Sequence, residues 1–292
     1  MKRNSTQDYY RQQSSITTLA EYESLFGALP DEIEQLVEVV QGLIVHAGWA
    51  ENHGVAITAE RSAELHLRTM PQMVARILEL NPAPLTTTRP TTQRLVGICR
   101  DFALFLVAML RHQGIPARLR VGFGGYFNTK KPRFWDHRIT EYWNAQQGRW
   151  ILVDPQIDEV QRAAKQIHFD TLDVSVDSPF HFAGYAWQLC RRGAADPEQY
   201  GDSETDLGMP MIRYALLHDF DALNQVELVG FDAWCDLIDK PEEEVTEEEW
   251  QFLDEVAELT LNVDDRFTEL QNFYNTSAYG RTILGRLQAL AV

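Results

Sequence analysis

The sequence has few cysteines, and their positions exclude the common cysteine-based structural sites. Only Cys99, Cys190 and Cys235 occur in 292 residues, an odd and widely separated set with no C-x-x-C pair. This spacing excludes zinc knuckles and dithiol redox motifs, and a secreted domain of this size more often carries an even set of disulfide-forming cysteines. We therefore expect a protein of a reducing compartment, the cytoplasm.

The sequence also lacks long apolar runs and an excess of positive charge. Its longest strongly apolar run covers residues 102–110, whereas a membrane-spanning helix needs roughly 20 residues. The net charge of −17 repels phosphate backbones and anionic lipid headgroups. Neither nucleic acid nor a membrane is therefore expected as a partner. The eight histidines form no H-x-H or H-x-x-x-H pair, so we expect no metal site and no other cofactor.

What is present is the composition of a folded protein, with 45% hydrophobic and 11% aromatic residues. We expect four regions, which are a loose N-terminus, an N-terminal helical part of the core, a central α+β core and a mostly helical C-terminal extension. They cover residues 1–15, 16–84, 85–160 and 161–292.

Hydrophobic periodicity predicts helices in the outer regions and one helix followed by strands in the centre. The outer helices are expected over 29–44, 58–69, 71–80, 180–192, 211–217 and 224–238, and after the capping-box pair Thr246 and Glu249. In the centre, a helix over 99–112 precedes strands over 117–127, 137–143 and 149–153. A helix followed by antiparallel strands is an α+β arrangement.

Cys99, His137 and Asp154 have the residue types of a nucleophile, its base and an orienting acid. Cys99 begins the central helix, where exposed N–H groups and the helix dipole stabilise a thiolate. A hairpin turn centred at residues 145–146 would place His137 opposite Asp154, close enough for the carboxylate to orient the imidazole. A cysteine alone at such a position is more often a small core residue. The hypothesis therefore depends on the three residues occurring together.

Four segments resemble, in order, the motifs of the transglutaminase-like superfamily. They are G-I-C-R-D-F-A at 97–103, L-R-H-Q-G-I-P-A-R at 110–118, H-R-I-T-E at 137–141 and W-I-L-V-D-P at 150–155. The resemblance implies a papain-like fold, in which the nucleophile helix packs on an antiparallel sheet, with helical extensions at both ends. It also implies that Cys99 is the nucleophile, His137 the base and acid, and Asp154 the residue that orients the histidine.

Three further residues are candidates for the same site. Gln93 lies six residues before Cys99, the spacing of the oxyanion-hole glutamine in papain-like proteases. Trp135 and Glu141 are expected to line the pocket, because Trp135 precedes the histidine and Glu141 shares its strand face. Elsewhere, Asp101 and Arg118 are expected to form a structural ion pair, and the other two cysteines to be buried thiols.

The sequence thus predicts thiol-based acyl transfer on a peptide, amide or thioester substrate. With water as acceptor the enzyme is a hydrolase of peptide or amide bonds, which we favour because water needs no second binding site. With an amine as acceptor it is an amide-forming acyl or aminoacyl transferase. A third hypothesis is a non-catalytic binding module on the same fold, although such a module has no chemical reason to keep all three residues.

Overall fold

The computed structural model describes residues 5–127, 133–174, 179–232 and 234–290, with helices along the whole chain and strands in its central part. The helices are α1 (Ser5–Tyr10), α2 (Ile33–Leu43), α3 (Ala59–Ser62), α4 (Met70–Leu80), α5 (Cys99–His112), α6 (Glu159–Lys165), α7 (Ala183–Arg191), α8 (Met209–Leu223), α9 (Asp236–Asp239), α10 (Glu247–Leu261), α11 (Phe267–Thr276) and α12 (Ala278–Leu290). The strands are β1 (Ile44–His46), β2 (Leu95–Gly97), β3 (Ala117–Gly124), β4 (Phe134–Asn144), β5 (Arg149–Val153), β6 (Phe180–Phe182) and β7 (Tyr200–Gly201).

The strands form two sheets. β1 and β2 are a parallel pair, while β5, β4, β3 and β6 are neighbours in that order in a larger sheet. The pairs β4–β5 and β3–β6 are antiparallel, and β7 joins the start of β4 in parallel. This combination of helices with an antiparallel sheet agrees with the predicted α+β class. None of the described helices is both long and apolar enough to cross a membrane.

The chain divides into two compact units. The first contains Met1–Leu119 and Arg138–Ser178, and the second contains Arg120–His137 and Pro179–Val292. The division falls inside β3 and β4, so each of these strands contributes residues to both units. It differs from the four consecutive regions expected from the sequence because strands that are distant along the chain pair with one another.

In the first unit α5 is the central element. All its residues from Cys99 to Arg111 are buried, which explains why its sequence is apolar on nearly every face. The hydroxyl of Thr140 on β4 donates a hydrogen bond to the carbonyl of Ala103 on α5 at 3.0 Å. The nucleophile helix of the prediction is thus a core helix in contact with a strand.

The N-terminal residues differ from the predicted loose segment. Residues 5–10 form α1, and the ring of Tyr10 is fully buried, 6.0 Å from that of Trp150 between centres. The guanidinium of Arg118 lies 5.1 Å from the centre of the same Tyr10 ring. These partners are distant in sequence, so local composition does not indicate them. Residues 1–4 lie outside the described part of the chain.

Two predicted helices also differ from the structure. The helix expected over 58–69 consists of α3 and a short 3₁₀ turn, Ala63–His66. Of the helix expected over 224–238, the described residues contain only α9 at its end. Gln225 has a φ of 59°, which ends α8, and the apolar residues that follow are buried in irregular backbone. The buried apolar residues of this irregular segment therefore have a spacing similar to that of a helix, which explains the wrong prediction.

In the second unit the helices pack closely around α7. A Cβ on Gly184 of α7 would lie 2.6 Å from Thr260 Oγ1 and 2.9 Å from the Ala257 carbonyl oxygen on α10. The indole N–H of Trp187 donates to Asp254 Oδ1 at 2.7 Å, on the same pair of helices. The capping box of Thr246 and Glu249 begins α10, as predicted.

Candidate active site

Cys99 is the first residue of α5, and the chain reaches it directly from β2. The intervening Ile98 is extended, with φ −116° and ψ 176°. A Cβ on Gly97 would lie 3.0 Å from both Asp101 Oδ2 and Ile44 Cγ2, which explains a glycine at this position. Cys99, which is 9% exposed, therefore lies at the positive end of the helix dipole.

Asp101 holds the start of α5 in place. Its Oδ2 accepts the Ile98 N–H at 2.9 Å, and its Oδ1 accepts from Arg100 Nη1 at 3.0 Å. Arg100 is fully buried and its Nη2 donates to the Arg68 carbonyl at 2.6 Å. Burial raises the pKa of the Asp101 carboxyl, while Arg100 and the Ile98 N–H act in the opposite direction. Asp101 therefore has a structural role, with Arg100 rather than the expected Arg118 as an ion-pair partner.

His137 lies on β4 with its imidazole surrounded by aromatic rings. The ring centre of Phe127 is 4.8 Å away, that of Tyr126 6.0 Å and that of Phe180 6.5 Å. Each of the three contacts is edge-to-face, and His137 is 2% exposed. Packing of this kind restricts the plane of the imidazole.

Asp154 follows β5 directly and is completely buried. Its N–H donates to the Thr171 carbonyl at 2.8 Å, and its Oδ1 accepts the Gln156 N–H at 3.1 Å. Gln161 lies on α6 and forms two hydrogen bonds with Gln156. The Gln156 amide donates to Gln161 Oε1 at 2.9 Å, and the Gln161 amide donates to the Gln156 carbonyl at 3.0 Å. The carboxylate of Asp154 is thus oriented by a local turn that is anchored on α6.

The hairpin of β4 and β5 has a different register from the predicted one. Thr140 lies opposite Val153, so continuing the ladder places Ile139 opposite Asp154. The prediction that His137 lies directly opposite Asp154 is therefore wrong by two residues. Because side chains alternate along a strand, residues 137 and 139 share one face, and the displacement leaves His137 on the face that was predicted.

The turn of the hairpin accounts for this difference. Asn144 Oδ1 accepts the N–H groups of Gln146 and Gln147, both at 3.0 Å. Gly148 has a φ of 65° and its N–H donates to the Asn144 carbonyl at 2.9 Å. The connection is therefore a four-residue loop centred one residue later than we expected.

Glu141 and Trp135, the expected pocket residues, have partners of their own. Glu141 Oε2 accepts from Arg118 Nε at 2.5 Å between buried side chains, and the same guanidinium lies 4.0 Å from the centre of the Trp150 ring. Trp135 is half-buried, with the Arg133 guanidinium 5.9 Å from its ring centre. Glu141 thus ties β4 to β3, and a pocket role for either residue stays a prediction.

Gln93, the expected oxyanion donor, lies in a short 3₁₀ turn and is exposed. Its Oε1 accepts a hydrogen bond from Asn81 Nδ2 at 2.6 Å. An oxyanion donor acts through N–H groups held in a water-excluded position. The exposed position of Gln93 gives its amide no such environment, and the role stays a prediction.

The remaining thiols have surroundings that oppose ionisation. Burial, with a contribution from Asp196, raises the pKa of Cys190 to about 11. Burial also raises the pKa of Cys235, which is half-buried. Over the described ranges, no three His, Cys, Asp or Glu side chains are grouped as a metal site.

His46, the last residue of β1, is not among the residues predicted for the site. It lies opposite Gly97 in the parallel pair, and its ring centre is 6.3 Å from that of Phe102 on α5. Its Nδ1 accepts the Gly48 N–H at 3.1 Å. The pairing of β1 with β2 brings His46 to this position, and no local sequence motif marks it.

Cys99 and Asp154 belong to the first unit and His137 belongs to the second. All three lie within residues 75–155, which match the family model of the transglutaminase-like superfamily.

Two known proteins are similar to part of the chain. A protein-glutamine gamma-glutamyltransferase of Pseudomonas aeruginosa is 30% identical over 118 residues, which cover 36% of this chain. The match covers 18% of that relative, so the chain spans less than a fifth of its length. A crystal structure of a candidate cysteine protease from Cytophaga hutchinsonii aligns with 16% identity and a TM-score of 0.34, over 53% of this chain and 43% of that one. Residues 75–155 of the chain are thus similar to the transglutaminase-like superfamily.

Proposed function

We propose that the chain is a thiol enzyme that transfers acyl groups through Cys99, His137 and Asp154. The observation that carries the proposal is the start of α5. A cysteine begins a buried helix directly after a strand and a glycine, inside the stretch that matches the superfamily. This is the position at which a helix stabilises a thiolate.

The proposed reaction has two steps with balanced bonds and protons. The Cys99 thiolate attacks the carbonyl carbon of an amide or thioester, a C–S bond forms, and collapse of the intermediate expels the leaving group. His137 gives that group its proton and then takes one from the acceptor that cleaves the acyl-enzyme. Asp154 holds the imidazole in the tautomer that this exchange needs.

The strands support this assignment of His137 and Asp154. His137 shares a strand face with residue 139, the position opposite Asp154 in the continued ladder. Diagonal neighbours on one face of an antiparallel pair are about 7–8 Å apart, which long side chains can bridge. We propose that Asp154 orients the imidazole of His137, in a papain-like arrangement.

For the acyl acceptor we propose water, so that the enzyme hydrolyses peptide or amide bonds. An amine acceptor is the second candidate, and the relative named a protein-glutamine gamma-glutamyltransferase favours it. The two reactions share the acyl-enzyme and differ only in the nucleophile that cleaves it.

The test is to detect the acyl-enzyme by intact mass spectrometry after mixing the full chain with a peptide thioester. We expect an acyl adduct on Cys99, and its loss in Cys99→Ser. Cys190→Ser is the matched control, because Cys190 is also 9% exposed, and it should keep the adduct. We expect His137→Ala and Asp154→Ala to slow turnover by about 10²-fold or more. An adduct that persists in Cys99→Ser would refute the proposal.

A primary amine added to the same reaction separates the two acceptors. A hydrolase gives the free acid whatever the amine concentration, whereas a transferase gives amide in proportion to it. A chain that forms no adduct with any amide or thioester donor would fit the non-catalytic binding module.

A further inference from the structure

Acyl transfer places negative charge on the carbonyl oxygen of the substrate as the nucleophile attacks. Hydrogen-bond donors that are fixed in advance at this oxygen lower the barrier, and removal of one such donor typically slows the reaction by about 10²–10³-fold. The candidate from the sequence, Gln93, is exposed and bound to Asn81. Acyl transfer at Cys99 therefore needs a donor from another element near the start of α5.

The parallel pairing of β1 and β2 brings a histidine to this place. His46 is opposite Gly97, and Ile44 is opposite Leu95. Because side chains alternate along strands, His46, Ile44 and the position of a Gly97 side chain share one face. That face covers the first turn of α5, since a Cβ on Gly97 would meet Asp101.

The imidazole of His46 lies against the helix turn that carries the thiol. Its ring centre is 6.3 Å from that of Phe102, at an angle of 37°. Phe102 and Cys99 are three residues apart on α5, and residues at this spacing are neighbours on a helix surface. Gly97 adds no side chain on the same strand face.

The hydrogen bonding of His46 defines which ring nitrogen carries the proton. The Gly48 N–H donates to Nδ1 at 3.1 Å. A backbone N–H acts only as a donor, so Nδ1 presents its lone pair and the neutral ring carries its proton on Nε2. The half-buried His46 thus provides an N–H donor of fixed identity beside the start of α5.

We propose that His46 is an oxyanion donor, in which Nε2–H hydrogen-bonds the carbonyl oxygen of the acyl donor. This inference rests on the acyl-transfer function proposed above. As the Cys99 sulfur bonds to the carbonyl carbon, the π electron pair moves to the oxygen, and the oxyanion accepts the Nε2–H. His46 keeps its proton throughout, while His137 carries out the proton transfers.

The test uses variants that separate the two ring nitrogens. A glutamine amide reaches the place of Nε2, whereas an asparagine amide reaches only that of Nδ1. We expect His46→Ala and His46→Asn to lower kcat with a peptide thioester by about 10²-fold with little change in KM, and His46→Gln to recover at least about a tenth of the rate. His66→Ala, at an exposed histidine of the same unit, should have no effect.

Alkylation of Cys99 by iodoacetamide is the second measurement. This reaction displaces iodide at a saturated carbon and forms no oxyanion, so its rate should change less than about twofold in all His46 variants. Equal losses of alkylation and acyl transfer would assign His46 to the thiol or to folding and overturn the inference. Unchanged turnover in His46→Ala would also overturn it. If the wild-type chain forms no acyl-enzyme, both the inference and the proposed function are overturned. Equal losses of the two reactions, or unchanged turnover in His46→Ala, overturn the inference alone.

Discussion

Cys99 in the first unit and Cys190 in the second have the same exposure, 9%, but occupy opposite ends of their helices. Cys99 begins α5, next to the N–H groups of the first helical turn, whereas Cys190 precedes the last residue of α7, next to the carbonyl groups of the last turn. Burial and Asp196 raise the pKa of Cys190 to about 11. Exposure alone would rank the two thiols equally, so the helix end and the neighbouring charge distinguish them.

The largest expected effect is the difference between the alkylation rates of the two thiols. With a pKa of about 11, only about 10⁻⁴ of Cys190 is thiolate at pH 7, and the thiolate is the species that reacts. We expect iodoacetamide to modify Cys99 at least about 100-fold faster than Cys190, as measured by peptide mass spectrometry. The ratio should fall in His137→Ala, and similar rates for the two thiols in the folded wild type would remove the basis of the comparison.

The comparison of helix ends extends to two buried carboxyl groups. Asp101 lies in the first turn of α5, beside Arg100 and a backbone N–H. Asp221 lies in the last turn of α8, where its oxygens accept the hydroxyls of Tyr274 at 2.8 Å and Tyr279 at 2.7 Å. Burial raises the pKa of Asp221 to about 7, although both hydroxyls act in the opposite direction.

The raised pKa of Asp221 predicts how stability depends on pH. The folded state binds this proton more tightly than the unfolded state, so the free energy of unfolding falls as pH rises from about 4 to about 7 and then levels off. Between pH 5 and pH 8 the contribution of Asp221 should fall by about 3 kcal/mol. Urea unfolding of wild type and Asp221→Asn at both pH values measures it. An equal pH dependence in the two proteins would contradict the prediction.

A smaller effect is expected from the glycine before Cys99. In Gly97→Ala the new Cβ would meet Asp101 and Ile44 at 3.0 Å, and such overpacking costs about 2 kcal/mol of stability. We expect thermal unfolding at a lower temperature together with slower alkylation of Cys99. Gly285→Ala on α12 is the control, because its Cβ would meet no atom within 4 Å and should stabilise the helix slightly. Equal unfolding temperatures of Gly97→Ala and wild type would contradict the packing argument.

The smallest effect concerns the charge beside Cys190. Asp196→Asn removes the lesser of the two causes of its raised pKa, and burial, the larger cause, is unchanged. We therefore expect alkylation of Cys190 at pH 9 to become only a few-fold faster, with no change at Cys99. A rate increase of about 100-fold would mean that charge rather than burial controls this thiol.

Local signals in the sequence predicted the elements that carry the candidate site. The helix expected over 99–112 and the strand over 149–153 have the predicted bounds, because Gly114 and Pro155 follow them. The predicted register of the β4–β5 hairpin was wrong. The register depends on the loop length, which the side chain of Asn144 and the positive φ of Gly148 set together. The prediction used only the midpoint of the hairpin sequence. The midpoint reflects neither the hydrogen bonds of the Asn144 side chain nor the φ of Gly148.

Non-local contacts could not be predicted in the same way. Tyr10 belongs to a polar segment, and only its packing on Trp150 explains its burial. His46 ends a short apolar strand whose partner lies about fifty residues later, so no motif connects it with Cys99. Helical periodicity also failed over 224–238, because irregular backbone can bury apolar residues at similar spacing.

The pairing of β1 with β2 also determines when the start of α5 can form during folding. Joining Ile44 to Leu95 closes a loop of about fifty residues, whose entropy must be lost before the strand face that holds α5 exists. During synthesis β1 leaves the ribosome long before β2, and Cys99 follows only two residues after β2 ends. The thiol therefore gains its place at the helix start only when two distant parts of the chain have met, so the nascent chain carries an ordinary cysteine until this unit has folded.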